Sequence, residues 1–374
     1  MRRIFACVLV AFAPVAAAAQ GVLGSQGFGY PTGQYGGRAA GTAGALAPFD
    51  AVSAVNPAAL ADWRASVLFF HLEPEYRSTH ANSRDVNTTE ARFPLIGGAE
   101  RLTSHLAVGV TFSTYLDRTW QTAALATHPI GADTTQVTTR YTSNGAINDL
   151  RLAAAWTFTP RFRLGVGAHV YTGENRLTIG WEFPDTTPYG NVLQSSQLSY
   201  TGNAASIGAE WDVVKHATIA AYARRGGTMR MRLGDTLLSK SDAPNHTGAA
   251  IRYDGLAGTV IAAGWERVTW SALTDLSTKG LVVHDADRVT LGLESRGPVI
   301  GRTPVYLRLG VASRGLPFEA DGAQVHETII SGGAGYALAQ DHLNLDFGLQ
   351  HASRTAGSLR ERAWLVTLGF AITP

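Results

Sequence analysis

The chain has 374 residues, a formal net charge of +2, 16% charged residues, 41 glycines and one cysteine. Soluble domains usually carry about 25% charge, and a near-neutral balance with no Lys/Arg run or basic helix excludes a nucleic-acid surface. A lone cysteine excludes a disulfide framework and a cysteine metal centre.

Met1-Arg2-Arg3, an apolar run over Ile4–Val15 and the small residues Ala16–Ala19 read as an export signal over 1–19, cleaved before Gln20. The run is shorter than the roughly 20 residues of a spanning helix, so an uncleaved anchor is disfavoured. Cys7 falls inside it, which leaves the mature chain without a thiol. Residues 20–64 follow as a Gly/Ala-rich stretch with aromatic residues and no sustained alternation. They are too apolar for a disordered linker and should pack somewhere.

From residue 65 to the end the pattern has period two, the signature of strands with one greasy face. The expected strands are 66–78, 90–102, 105–116, 147–158, 162–171, 196–211, 216–225, 247–253, 258–269, 288–296, 304–313, 325–338, 342–351 and 362–372. In the last of them Trp364, Val366, Leu368, Phe370 and Ile372 alternate with Ala363, Leu365, Thr367, Gly369 and Ala371. About fourteen strands, an even number, predict an all-β, transmembrane antiparallel barrel over 65–374. A secreted β-sandwich would show the same alternation. Tight connections such as Thr159-Pro160-Arg161 should face the periplasm, and the long ones over 117–146, 172–195, 226–246 and 275–287 the exterior. Pieces of these, 175–183 and 229–237, read as hairpin extensions or as one extra pair of wall strands.

Arg151, Arg163, Arg308, Glu210, Glu294 and Asp346 share their strand faces with Gly and Ala, which places them in the lumen. Charges facing lipid would be expensive. They are expected to form an ion-pair network between wall and interior, which Arg38 could join. No G-x-S-x-G, H-E-x-x-H or P-loop element occurs. His284-Asp285-Ala286-Asp287 reads as a solvated loop in preference to a catalytic or divalent-cation site, and the eleven histidines have no metal-ligand spacing. No catalytic residue, metal or cofactor is therefore assigned. Trp120, Trp181, Trp265, Trp270 and Trp364 read as membrane-girdle or loop aromatics.

Within 20–64, the run Gly36-Gly37-Arg38-Ala39-Ala40-Gly41-Thr42-Ala43-Gly44-Ala45, then Asp50, then Val55-Asn56-Pro57-Ala58 just ahead of the first strand, resembles the N-terminal hatch of FadL-like outer-membrane transporters. Glu73-Pro74-Glu75-Tyr76 is similar to that family as well. The resemblance implies a fourteen-stranded barrel plugged from within, residing in the bacterial outer membrane among its lipids, monomeric, and passing hydrophobic molecules such as long-chain fatty acids by hatch movement and a lateral opening. A PorV-like branch with the same hatch pattern serves protein secretion and is the alternative, with a plain diffusion barrel as a third reading. Apart from the resemblance, Asn56-Pro57 fits a turn, because Pro fixes its own φ and restricts its predecessor. Phe28, Tyr30 and Phe49 are expected to line an apolar pocket, Arg38 to meet a carboxylate head group, and Asn56, Pro57 and Ala58 to position the gate.

Overall fold

A computed structural model describes residues 28–81, 84–130, 133–184, 188–277, 282–338 and 342–373. The expected export signal and the first residues of the expected hatch lie outside them. In chain order the elements are β1 (Tyr30–Pro31), a one-turn helix α1 (Gly37–Gly41), 3-10 turns at Ala47–Phe49 and Pro57–Asp62, β2 (Val67–Ala81), β3 (Arg84–Arg101), β4 (Leu106–Asp117), β5 (Trp120–Ile130), β6 (Asp133–Thr159), β7 (Phe162–Glu182), β8 (Val192–Val214) and β9 (Ala217–Gly226). They continue with β10 (Thr228–Leu233), β11 (Thr236–Asp242), β12 (His246–Leu256), β13 (Thr259–Val268), a 3-10 helix Trp270–Leu276, β14 (Ala286–Ile300), β15 (Thr303–Ala320), β16 (Ala323–Leu338), β17 (Leu343–Ala356) and β18 (Leu359–Ile372).

Fourteen of these strands form one closed antiparallel wall. Neighbours in sequence pair around it, except that β4 pairs with β6 and β9 with β12, and β18 returns to β2 from Arg360 opposite His80 to Ile372 opposite Leu68. Closure removes the edges that an open sheet would present. A sandwich is thereby excluded. The fourteen strands are those expected from periodicity, most of them longer at the end away from the short turns.

Alternation sets the two faces. On β18, Trp364, Phe370 and Ile372 are exposed on the outer surface while Ala363, Leu365, Thr367 and Ala371 are buried inside. Leu152, Val166, Ile207, Val289, Leu309 and Ile330 continue the apolar outer belt around the wall. Such a surface is stable against hydrocarbon and not against water.

The expected long external loops are largely strand. β5 and β6 extend as a hairpin, paired from Trp120 opposite Ser143 to Ile130 opposite Asp133, and β7 and β8 stay paired up to Trp181 opposite Val192. The β10–β11 hairpin pairs with the upper part of β8 and adds no strand to the wall. Both pieces that could have been extra wall strands are therefore extensions. Between β13 and β14 the Trp270–Leu276 helix turns its apolar side inward, burying Trp270, Leu273 and Leu276.

The segment from Phe28 to Asp62 lies inside the closed sheet. It touches the inward faces of strands all around the wall: Gly37 N donates to His71 Nδ1 of β2 (3.0 Å), Arg224 of β9 donates to Ala54 O (3.0 Å), Arg288 of β14 to Ala43 O (2.8 Å), and Gln350 of β17 to Ala40 O (3.0 Å). A fourteen-stranded bore is wider than side chains alone can fill. Here small wall residues and a small-residue segment fill it together.

Candidate functional site

The segment is fixed at its lower end by Asn56. Its side chain accepts from Ala58 N (3.0 Å) and so caps the 3-10 turn that Pro57 opens, while its amide donates to Pro48 O (2.8 Å) and reaches Glu210 Oε1 (3.4 Å). Asn is a strong N-cap and Pro is preorganised at the first helical position. The turn sits against Gly165 of β7 and Gly208 of β8, where an added Cβ would lie 2.3 Å from Pro57 C and 1.9 Å from Asn56 Oδ1. The wall thus carries an imprint of the Asn-Pro-Ala turn.

Ion pairs hold the segment at two further places, and a tyrosine hydroxyl holds it at a third. Arg38 binds Glu294 with both Nε and Nη2 (2.7 Å for the shorter contact), and Glu294 also takes Arg308, which reaches Asp346 (2.5 Å). Arg163 joins Asp62 of the segment (3.0 Å) to Asp212 (3.0 Å) and Glu210 (3.3 Å) of β8. Tyr30 donates its hydroxyl to Glu327 (2.9 Å) and accepts from Arg314 (2.6 Å), within a buried cluster where Arg354 contacts Glu75, Glu327 and Glu361. All six lumenal charges expected from the strand faces point inward, and Arg38 joins their network. Removing one partner of such a buried pair typically costs about 3–5 kcal/mol, because the other charge is stranded away from water.

A second polar cluster escaped the sequence reading. Asp149 of β6, His169 of β7 and Ser206 of β8 form a hydrogen-bonded row, His169 Nδ1 to Asp149 at 2.9 Å and Nε2 to Ser206 Oγ at 2.9 Å. Arg224 and Gln34 also bind Asp149, at 3.2 and 3.0 Å. The order matches a serine-nucleophile triad, yet the surroundings argue for bracing. Ser206 lies within a continuous ladder opposite Gly167, so the neighbouring backbone is committed to strand pairing. Ser206 is buried, and its Oγ rests over Gly167, where an added Cβ would come within 2.5 Å of it. The reaction needs a site for an oxyanion beside the nucleophile. Periodicity places these residues inward; their diagonal meeting across three strands depends on register.

Among the described residues after β13, His284, Asp285 and Asp287 are held in ion pairs. His284 pairs with Glu319 (3.1 Å), and Asp285 and Asp287 both face Arg267 (3.6 and 3.2 Å). Among the described residues no group of three potential ligands could hold a metal. Of the tryptophans, Trp265 and Trp364 are exposed on the outer belt, whereas Trp270 is buried and packs near Tyr115 (ring centroids 5.5 Å) and His246 (5.9 Å).

Phe28, Tyr30 and Phe49 do not meet in one pocket. Phe28 lies at the external end, edge-on to Tyr200 (6.0 Å) under the guanidinium of Arg118 (4.5 Å), in an apolar cluster with Tyr115, Met229, Trp270, Leu273 and Leu276. Tyr30 belongs to the Glu327 cluster, and Phe49 packs lower against Ala220 and Ala250 beneath Arg252 (5.1 Å). Tyr115 and Leu273 were not singled out and Trp270 was read only as a girdle or loop aromatic, because the period of a strand or the length of a connection does not say which distant residues pack together.

The wall itself is interrupted. β3 pairs with β4 only from Arg101 opposite Ala107 to Ile96 opposite Phe112. Above Ile96, β3 keeps β2 as its neighbour, after a register shift next to Pro94, which has no N–H to offer. The upper edge of β4 pairs instead with β1, Leu116 opposite Pro31 and Asp117 opposite Tyr30. Six paired residues run roughly 20 Å along strands that tilt by about 35–45° in such barrels, so the split begins within the apolar outer belt. Directly below it, the outer wall is hollowed into a groove of about 890 Å³ lined by Leu68, Gly98, Val110, Leu152, Ala154 and Val166.

Compared with solved structures, the chain matches three over more than nine-tenths of its length. A Pseudomonas aeruginosa FadL homologue matches with TM-score 0.68 and 11% identity over 92% of this chain and 99% of that one. The chain has the FadL-like fold. The Pseudomonas putida toluene transporter TodX matches with TM-score 0.62 and 11% identity (91% and 99% covered), and the monoaromatic hydrocarbon channel CymD with TM-score 0.59 and 13% identity (91% and 97%). No protein-family model matches this sequence, and no curated protein matches it in sequence. At these identities the likeness is one of architecture.

Proposed function

We propose that this protein resides in the bacterial outer membrane and passes hydrophobic small molecules passively inward, with residues 20–64 acting as a hatch. The observation that carries this reading is the split between β3 and β4, stopped from inside by β1 and opening above an apolar groove on the lipid-facing wall. A hydrophobic solute leaving the lumen there would enter hydrocarbon without crossing water, and each buried methylene contributes about 0.8 kcal/mol to holding it on the apolar path. The fold shared with channels for toluene and monoaromatic hydrocarbons supports the same reading. Long-chain fatty acids are among the candidate ligands. No catalytic step is required.

The test is uptake by a bacterial host lacking its own hydrophobic-compound channel, measured with radiolabelled decanoate and toluene. Expression should raise uptake of at least one of them several-fold above the empty vector. Uptake at vector level for both, with a secreted protein co-purifying at stoichiometric yield, would replace this reading with the secretion-partner one.

A further inference from the structure

We propose that the outer rim formed by the external ends of β16, β17, β18 and β2 binds a phosphorylated glycolipid of the external leaflet, with Arg360 and Arg362 holding its phosphate. The inference rests on the outer-membrane residence proposed above and is independent of what passes through the lumen. Up the outside of β18, Ile372, Phe370, Leu368, Val366 and Trp364 form an apolar column. The next two outward positions are Arg362 and Arg360, both exposed. With a strand tilt of about 35–45°, the column from Ile372 to Trp364 climbs roughly 20 Å, most of the height of a hydrocarbon band. The two guanidiniums therefore stand just above the aromatic girdle, at head-group depth.

Neighbouring strands continue the pattern rung by rung. Trp364 lies opposite His351 of β17 and Tyr76 of β2, and the rings of Trp364 and His351 meet at 4.6 Å. One pleat higher, Arg362 lies between Ser353 and Ser78. Above that, Arg360 lies opposite Thr355, which faces His326 of β16. A belt of rings is thus topped by two arginines, hydroxyls and an imidazole. Alternation sends Glu75, Glu327 and Glu361 to the lumen, where Arg354 holds all three. At the turn above, Asp321 accepts from Ser358 N (3.2 Å) and Oγ (2.9 Å). Among the described residues, the side chains of Arg360 and Arg362 have no ion-pair or hydrogen-bond partner.

Two guanidiniums on one face of one strand repel each other, and an anion between them removes the repulsion. Phosphate suits the planar fork, which offers it paired N–H donors, and the hydroxyls to either side fit the sugar that carries the phosphate. The surface beneath selects a lipid over a free anion. Chains hanging from that head group would run down over Trp364, Phe347, Leu368 and Phe370, all exposed to hydrocarbon.

The test uses the purified full barrel in detergent, titrated with lipid A and with lipid A stripped of its phosphates, and read as bound adducts by native mass spectrometry. Arg360→Gln/Arg362→Gln should weaken lipid A binding about tenfold or more, to the level at which the parent binds the dephosphorylated lipid. Arg296→Gln/Arg302→Gln, which removes the same charge from exposed positions at the periplasmic end of the wall, should bind as the parent does. Equal weakening in the two variants, or in neither, overturns the assignment, as does a parent that binds both lipids alike. Inorganic phosphate binding as tightly as lipid A would overturn the lipid as the source. Should the double variant lose the folded, heat-modifiable form, Arg360→Gln and Arg362→Gln singly carry the same comparison. The readout is binding and not uptake, so a failure here leaves the uptake reading standing, and absent uptake leaves this site standing.

Discussion

A methyl group at Gly208 would sit 1.9 Å from Asn56 Oδ1, and one at Gly165 would sit 2.3 Å from Pro57 C. Both neighbours belong to a rigid capped turn, so neither side can yield cheaply. Gly208→Ala should therefore unseat the lower end of the N-terminal segment while leaving the strand pairing intact, at a cost of roughly 1–3 kcal/mol. The check is a thermal melt of the purified protein together with its single-channel conductance. A variant that melts and conducts as the parent does would show that the fit is looser than the distances state. At the same scale, the lumenal charges were legible because alternation gives the face of each residue. Their partners were not, since Arg38 meets Glu294 across 256 positions and Tyr30 meets Glu327 across 297.

At the scale of elements, β1 is the piece that decides whether the wall is open. Two residues of the N-terminal segment occupy the edge of β4 that β3 leaves, and Thr32 Oγ1 donates to Thr114 O (2.5 Å) beside them. Leu116 and Pro31 are direct partners, so cysteines at both positions lie at a spacing a disulfide can bridge. The only natural cysteine is Cys7, ahead of the expected cleavage site. In the Pro31→Cys/Leu116→Cys variant, oxidation should lower solute uptake to near the vector level and reduction should restore it. Full uptake in the oxidised state would show that solutes do not need β1 to leave β4. The interruption of pairing has a local correlate in Pro94, but proline within a strand also fits an ordinary edge or bulge. The sequence therefore leaves the split open.

For the whole molecule, the barrel and the segment within it are separable in what stabilises them. The wall is held by ladders that close on themselves from β18 to β2 and do not pass through residues 28–62. Removing residues 21–62 should thus leave a folded, heat-modifiable barrel whose conductance in a planar bilayer greatly exceeds that of the intact protein. Equal conductance would mean that the segment does not obstruct the bore, and loss of the folded form would mean that it is needed to close the wall.

What the sequence determined by itself was everything that depends on period and composition. Strict alternation from about residue 66 to Ile372, sparse charge and abundant glycine specify a many-stranded barrel with a greasy exterior, because the faces of a strand follow from position alone. The Asn56-Pro57 turn and the inward charges belong to the same category. Tertiary structure decided the rest. The diagonal row of Asp149, His169 and Ser206, the inward fold of Trp270–Leu276, the parting of β3 from β4 and the contact of Arg288 with Ala43 O all depend on strand register and on which long connection turns into the lumen. Those choices are set by contacts between residues far apart in the chain, and local periodicity carries no record of them.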